Sequence, residues 1–391
     1  MLENQEKLST PILISLIPNL MEGEGHIIPY HQAVNQAIKK LGWKHLVVVP
    51  SQGNVANLPR EWEGYLSNDD LEKEGNTWQK IIRLIGVWKL GKSIARYLKD
   101  RVINQSDHSI IFLERFIHLQ LFALAISLWL VPPKTLSVWL LYRRDTHKDK
   151  TRSIYKLLNN IIKTRLPKGQ FKLLTDSDLL SKSLSIYFQE SVIVMPIPHT
   201  EIKFCTIHNK DPNFNILCWW PGSPREEKGL DKIQQLVRTS CENTKSNKIC
   251  LAVAKSSNLE AVKAGIQVKL IDNKLTREEY NYWLSISDTI LLPYDFQAYG
   301  ERTSGIFTEC IIAGKIPLVT EKTWMAHELL KYNLGELIIN WEEPKQVFLS
   351  IINIVQNINI KNKIKLMQKS YNEFHCLDKY AEIMKKLVSE K

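Results

Sequence analysis

Short apolar runs rich in β-branched residues alternate with helical periodicity along most of the sequence, and this alternation constrains the fold more than any other feature. The runs fall at 12–17, 46–50, 109–113, 136–141, 171–175 and 192–195, then at 215–219, 250–254, 267–271, 289–292 and 317–319. Runs that are apolar on both faces and separated by helices specify parallel sheets, because a parallel pair needs a crossover long enough to hold a helix. The stretch Pro196-Ile197-Pro198-His199-Thr200 interrupts the series. Two doubly wound α/β domains follow, 1–205 and 206–391, which also suits a chain of 391 residues, too long for one ordinary core. The segment 351–365 is rich in Ile, Asn and Lys but keeps apolar residues at helical spacing, so it reads as helix. The C-terminal helix of the second domain can cross back to the first.

Composition narrows the function classes. The six cysteines, Cys205, Cys218, Cys241, Cys250, Cys310 and Cys376, contain no C-x-x-C pair, so neither a zinc site nor a disulfide scaffold is indicated. The N-terminus lacks the basic start of a secretory signal. A reducing cytoplasm is the expected compartment, with the inner face of a membrane as a second location. The apolar run 119–131 is shorter than the roughly 20 residues a bilayer requires and reads as a helix buried on a sheet. A net charge of +11 attracts anionic lipid, nucleic acid or phosphorylated ligands without choosing among them. No recognised nucleic-acid motif accompanies it, so a nucleic-acid partner is disfavoured.

Doubly wound sheets bind ligands beyond the carboxyl ends of their strands, which directs attention to the strand-to-helix loops. The first, Glu22-Gly23-Glu24-Gly25-His26, offers backbone amides before a helix starting near Ile27; it is either an anion or hydroxyl site or a tight turn. It lacks the third glycine of the dinucleotide fingerprint, and no acidic residue ends the second strand. A nicotinamide cofactor is therefore not expected. The second loop, Gly222-Ser223-Pro224-Arg225-Glu226-Glu227-Lys228-Gly229, brings a guanidinium and an ammonium together. These could clamp a diphosphate or be merely solvated beside the two glutamates.

The third loop carries Glu301-Arg302-Thr303-Ser304-Gly305-Ile306 and, eight positions after the first carboxylate, Glu309. Were the segment helical throughout, about 1.5 Å of rise per residue would separate the two backbones by about 12 Å. Hydrolytic carboxylates sit about 5 to 9.5 Å apart across one glycosidic bond. The pair therefore suits two grips on one long ligand, with Glu309 early in a helix and Glu301 in the preceding loop. Ser304-Gly305 would offer helix-end amides to phosphate oxygens. The plainer alternative is that both glutamates cap and decorate the helix.

Together these segments resemble the retaining nucleotide-sugar glycosyltransferases of family four. The residues that carry the resemblance are the E-x(7)-E pair Glu301 and Glu309, the G-x-x-R-x-x-K-G loop from Gly222 to Gly229, and the Gly23-x-Gly25-His26 turn. Leu291-Leu292-Pro293-Tyr294 and Thr323-Trp324-Met325-Ala326 extend it, and it is fullest over 219–330. The resemblance implies the GT-B architecture, two Rossmann-like domains facing a central cleft, the first binding the acceptor and the second the nucleotide sugar. It implies that Arg225 and Lys228 hold the donor diphosphate beside Gly222, Tyr294, Ser304, Gly305 and Ile306. Glu309 would take the ribose, the base would lie near Leu275 and Thr276, and Glu301 would contact the transferred sugar. Catalysis falls to Glu301 with His118 and His26, and Gly23, Gly25 and His26 form an acceptor-side loop. No cofactor and no metal are expected. Two departures stand out: Arg302-Thr303-Ser304-Gly305 replaces the family's Gly-Phe-Gly, and the spacing from Arg225 to Lys228 is shorter than usual. A catalytically silent module that binds a nucleotide sugar or glycan is the alternative.

The acceptor, a glycan or a lipid-linked molecule, should contact the first domain. There 76–100 reads as an amphipathic helix with Trp78, Ile81, Ile82, Ile85 and Trp88 beside Lys80, Arg83, Lys89 and Lys92. That stripe either packs on its own sheet or rests on an anionic membrane surface.

Overall fold

A computed structural model describes residues 10–20, 27–51, 58–73, 77–103, 108–200, 214–239, 249–259 and 266–389. The chain forms two compact units. One comprises 1–199 with 376–391, and the other comprises 200–375. The expected boundary after residue 205 lies outside the described residues.

The first unit is built on β1 (Ile12–Leu16), β2 (Lys44–Pro50), β3 (Glu63–Leu66), β4 (Ser109–Glu114), β5 (Leu136–Tyr142), β6 (Phe171–Thr175) and β7 (Val192–Val194). All pairings are parallel, in the order β3-β2-β1-β4-β5-β6-β7. The order reverses between β1 and β4. Successive side chains of β1 point to opposite faces, as the pleat requires: Ile12, Ile14 and Leu16 join one core, and Leu13 joins another. Helices α2 (Thr77–Arg101), α3 (His118–Leu130), α4 (Arg152–Arg165) and α5 (Asp178–Phe188) cover the first face. The second is covered by α1 (Ile27–Lys40) and, from the far end of the sequence, α13 (Leu377–Ser389). Tyr30 and Tyr380 join these two helices through their hydroxyls at 3.0 Å.

Helix α2 departs from the reading in which its tryptophan-bearing stripe packs on the sheet. Val87, Leu90, Ile94 and Leu98 do bury, whereas Trp78, Ile81, Ile82, Ile85 and Trp88 are all exposed. Direction explains the difference: at about 100° per residue, Val87, Leu90, Ile94 and Leu98 lie on the side of α2 opposite the tryptophan-bearing stripe, so burying one face leaves the other outward. The buried half packs closely on α3, where a Cβ on Gly91 would lie 2.9 Å from the Ala123 carbonyl oxygen. The apolar run at 119–131 is helical but not wholly buried, since Phe122 and Trp129 are exposed.

The second unit holds β8 (Ile216–Trp219), β9 (Ile249–Ala254), β10 (Ile266–Ile271), β11 (Thr289–Leu292), β12 (Ile316–Thr320) and β13 (Ile338–Ile339). Its sheet is parallel in the order β10-β9-β8-β11-β12-β13, reversing between β8 and β11. Its helices include α6 (Leu230–Arg238), α7 (Arg277–Ile286), the single turn α8 (Phe296–Tyr299), α9 (Gly305–Ile312), α10 (Trp324–Leu330), α11 (Pro344–Gln356) and α12 (Ile358–Phe374). The segment read as one helix over 351–365 is divided between α11 and α12 by Asn357. Its side chain caps the second helix, accepting from the amides of Asn359 and Ile360.

Candidate functional site

The reversal of strand order in the second unit falls between β8 and β11, and the loops leaving their carboxyl ends meet there. The first loop runs from Trp220 to Gly229 and closes with one turn of 3-10 helix, Glu226–Lys228, before α6. Two glycines shape it. Gly222 has φ +88°, and a Cβ there would lie 2.8 Å from Lys228 Nζ and 3.5 Å from Ile306 Cδ1. Gly229 has φ +78°, and a Cβ would meet the Pro293 carbonyl oxygen at 2.1 Å. The two loops can approach this closely only because position 229 has no side chain. Further bonds fix the junction: the Asp295 amide donates to the Glu227 carbonyl at 3.0 Å, and the Trp220 indole N–H to the Lys228 carbonyl at 3.1 Å.

Lys228 is thereby held half-buried, its Nζ 5.9 Å from the centre of the buried Tyr294 ring. Burial and then the Arg225 guanidinium, with a smaller push from Arg302, lower its pKa from 10.5 to about 8, although Glu227 opposes the shift. Arg225 itself is exposed, 3.6 Å from Glu227. Arg302 lies over the Tyr299 ring at 4.9 Å, and Tyr299 packs on Tyr294 with ring centres 4.5 Å apart. Two guanidinium groups thus act on the Lys228 ammonium here, and an anion would relieve that repulsion.

The second loop ends at Ser304, a buried N-cap whose hydroxyl accepts from the Phe307 amide at 3.2 Å. Space above Gly305 is open, since a Cβ there would meet nothing within 4 Å. Glu301 stands in the loop between α8 and α9, and Glu309 lies one turn into α9. Glu309 is buried and accepts from Arg277 Nη1 at 2.6 Å. Arg277 opens α7 directly after Leu275 and Thr276, with Thr276 completing a capping box to Glu279. The Tyr280 hydroxyl, raised in pKa by burial and then by Glu309, faces the same carboxylate. Leu275-Thr276 and Glu309 are therefore neighbours through Arg277, a residue the motif reading overlooked. Its signal was modest: a lone arginine at the first position of a capped helix.

An open groove of ≈ 1450 Å³ adjoins this junction, sharing Arg225 and Tyr294 with it, and sets Arg225 and Lys232 against six carboxylates, among them Asp231, Asp295 and Glu342. That acidic surplus suits a diphosphate poorly. Neither Lys228 nor Glu309 lines it.

In the first unit, His118 is the first residue of α3, edge-on to Tyr155 at 6.0 Å. Burial and then Arg83 lower its pKa, which keeps the ring neutral near pH 7. Gly23, Gly25 and His26 lie outside the described residues. The same unit holds a buried charge cluster that sequence reasoning missed. Arg143 Nη1 lies 3.1 Å from Glu114 Oε1, and its Nε lies 3.5 Å from Asp176. His31 Nε2 sits 3.0 Å from Glu114 Oε2, and the guanidinium lies over the Tyr30 ring at 4.3 Å. Burial opposes the Arg143 charge, but Glu114 and Asp176 outweigh it and raise the pKa. Its signal in the sequence was a charged residue ending β4 or directly following β5 and β6, three successive apolar strands.

No protein-family model matches the chain, and no curated protein matches it. Solved structures do. The chain is similar to the N-terminal domain of trehalose-6-phosphate phosphatase from Candida albicans, with 10% identity, TM-score 0.66, and 100% of this chain and 98% of that one covered. It is similar to α,α-trehalose 6-phosphate synthase from Burkholderia multivorans, with 12% identity, TM-score 0.62 and coverage of 97% and 98%. It is also similar to Anabaena HepE in complex with UDP and glucose, with 9% identity, TM-score 0.62 and coverage of 97% and 100%. At such identities the likeness shows the fold. The two parallel-sheet Rossmann-like units have the GT-B fold.

Proposed function

We propose that the protein is a glycosyltransferase related to family four. It would move a hexose or related sugar from a nucleotide-diphosphate donor to a glycan or lipid-linked acceptor, with retention and without a metal. The observation that carries this reading is the group of Lys228, Arg225 and Arg302 gathered at the strand-order reversal of the second unit, with Lys228 held beneath Gly222. The fold supports it too. The Anabaena protein of this fold is known with UDP and glucose and with UDP-glucose.

The chemistry follows from where charge develops. Cleaving the bond between the anomeric carbon and the diphosphate places negative charge on the leaving oxygens and positive charge on the sugar ring. Lys228 and Arg225 would neutralise the former, together with the amides opening α9 at Ser304-Gly305-Ile306; such donors need not reorganise during the reaction. Tyr294 backs Lys228 with an aromatic face. Glu309 would accept the ribose hydroxyls and share them with Arg277, and the base would rest near Leu275 and Thr276. Glu301 would contact the transferred sugar, His118 would lie near that sugar, and His26 would serve catalysis from the acceptor-side loop. Retention rests on the family resemblance.

The test is release of nucleotide from a panel of UDP-, GDP- and ADP-sugars. One donor should be consumed, and Glu301→Gln should slow its turnover by about 100-fold or more while leaving nucleotide binding in place, as expected for a contact made mainly in the transition state. If no donor is consumed, transfer is ruled out. One observation favours a second reading. Arg302 stacks on Tyr299 where the family pattern has a small glycine, and a module that binds a nucleotide sugar without transferring it would show binding with no nucleotide release.

A further inference from the structure

The outward side of α2 is apolar in its first turns and basic in the rest. Trp78, Ile81, Ile82, Ile85 and Trp88 follow one another at the i, i+3, i+4, i+7 and i+10 positions of a single helical face. They are exposed, Trp78 by 71% and Ile82 by 58%. Lys89, Lys92, Arg96 and Lys99 continue that stripe toward the carboxyl end. The adjoining helices extend it: α3 exposes Phe122 and Trp129, the latter by 66%, and α4 exposes Ile154 and Leu157. Cations sit directly on the aromatic rings, Lys92 over Trp88 at 5.0 Å and Arg165 over Trp129 at 5.1 Å.

The charge of this face is one-sided. Helices α2, α3 and α4 carry eleven lysines and arginines, none of them buried, against one acid of their own, Asp100; from adjoining segments Asp69 pairs with Lys89 and Glu190 with Lys163. Their surplus of ten positive charges compares with +11 for the whole chain. All three helices cover the same face of one sheet.

We propose that this three-helix face docks on an anionic lipid bilayer, with α2 lying in the interface. Tryptophans, aliphatic side chains and lysines on one helix suit the headgroup boundary, where rings and aliphatics sink and ammonium groups meet lipid phosphates. A second copy of the chain is a poor occupant, because joining two such faces would oppose one large positive charge with another. Nucleic acid would use the lysines and could stack on the tryptophans, but gains nothing from Ile81, Ile82, Leu84 and Ile85. A protein partner would have to bury this density of lysine, which interface cores avoid. None of the described helices is long and apolar enough to cross a membrane, so the contact is with the surface. It needs nothing from the transfer chemistry, and vesicle binding would stand if transfer failed.

The experiment is co-sedimentation of the full chain with vesicles of phosphatidylcholine alone and of phosphatidylcholine mixed with phosphatidylglycerol. The comparison proteins are the double variants Trp78→Ala/Trp88→Ala and Lys92→Glu/Lys99→Glu. These positions are exposed, so circular dichroism and melting should match the parent. The expected result is binding to the mixed vesicles that falls about tenfold or more in each variant and weakens with salt. Absence of binding to the anionic vesicles, or equal binding by the variants, overturns the proposal. So does a DNA duplex that binds in place of vesicles and is lost with the lysines but not the tryptophans, or a dimer that either variant dissolves.

Discussion

Lys228 ties the candidate site to pH. Its folded pKa of about 8 lies below the ordinary 10.5, so both folded and unfolded chains carry the proton below pH 8, and the buried ammonium costs stability throughout that range. The cost is relieved as pH climbs from 8 toward 10.5. A diphosphate needs the ammonium. Nucleotide affinity should therefore fall by up to about tenfold per unit above pH 8, after a plateau from roughly pH 7, and Lys228→Met should weaken binding and flatten the profile. Calorimetric titration across that range checks it. Gly229 allows a sharper backbone test. Alanine there meets both a positive φ of +78° and the Pro293 carbonyl oxygen. Gly229→Ala should cost about 1–3 kcal/mol, read as a lower urea midpoint at unchanged m. The residue types at this junction were legible from the G-x-x-R-x-x-K-G spacing alone. The contact between Gly229 and Pro293 was not, because it depends on two strand ends becoming neighbours across 64 residues of sequence.

Among the elements, the helix starts carry the groups proposed to face the nucleotide, so their caps are worth testing. Ser304 caps α9 through the Phe307 amide. Ser304→Ala should cost about 1 kcal/mol in thermal or urea unfolding and also weaken nucleotide binding, because the amides of α9 lose their fixed direction. The buried cluster that ties β4, β5 and β6 to α1 predicts a larger loss. Arg143→Met would leave the Glu114 and Asp176 carboxylates buried without their cation. About 3–5 kcal/mol of destabilisation is expected in urea unfolding. The strands of both sheets could be read from β-branched runs apolar on both faces, since burial by helices leaves a plain signal. The short β3 and β13 could not. Glu63-Gly-Tyr-Leu is half polar, and Ile338–Ile339 is only two residues long. The exposed start of α2 also escaped the periodicity. An apolar stripe shows that one face wants cover, but α2 carries apolar residues on two opposite faces, and which of them is buried is fixed by the elements it packs on.

Across the molecule, each unit presents its chemistry at the carboxyl edge of a parallel sheet, where the strand order reverses or just beside it. The second unit gathers Lys228, Arg225 and Arg302 there, and the first gathers Glu114, Arg143 and Asp176. The doubly wound class was legible because alternation of strand and helix admits few other arrangements. Arg277 was not, because its tie to Glu309 spans 32 residues and has no motif. The central claim is that the second unit holds a nucleoside diphosphate through Lys228 and Glu309. Thermal unfolding with UDP, GDP and ADP tests it most directly. One of them, at about 100 times its Kd, should add about 2.7 kcal/mol of stability to the parent chain, and Lys228→Met and Glu309→Ala should each remove most of that gain. If none of the three nucleotides stabilises the parent, or if the two variants respond as the parent does, the claim is contradicted.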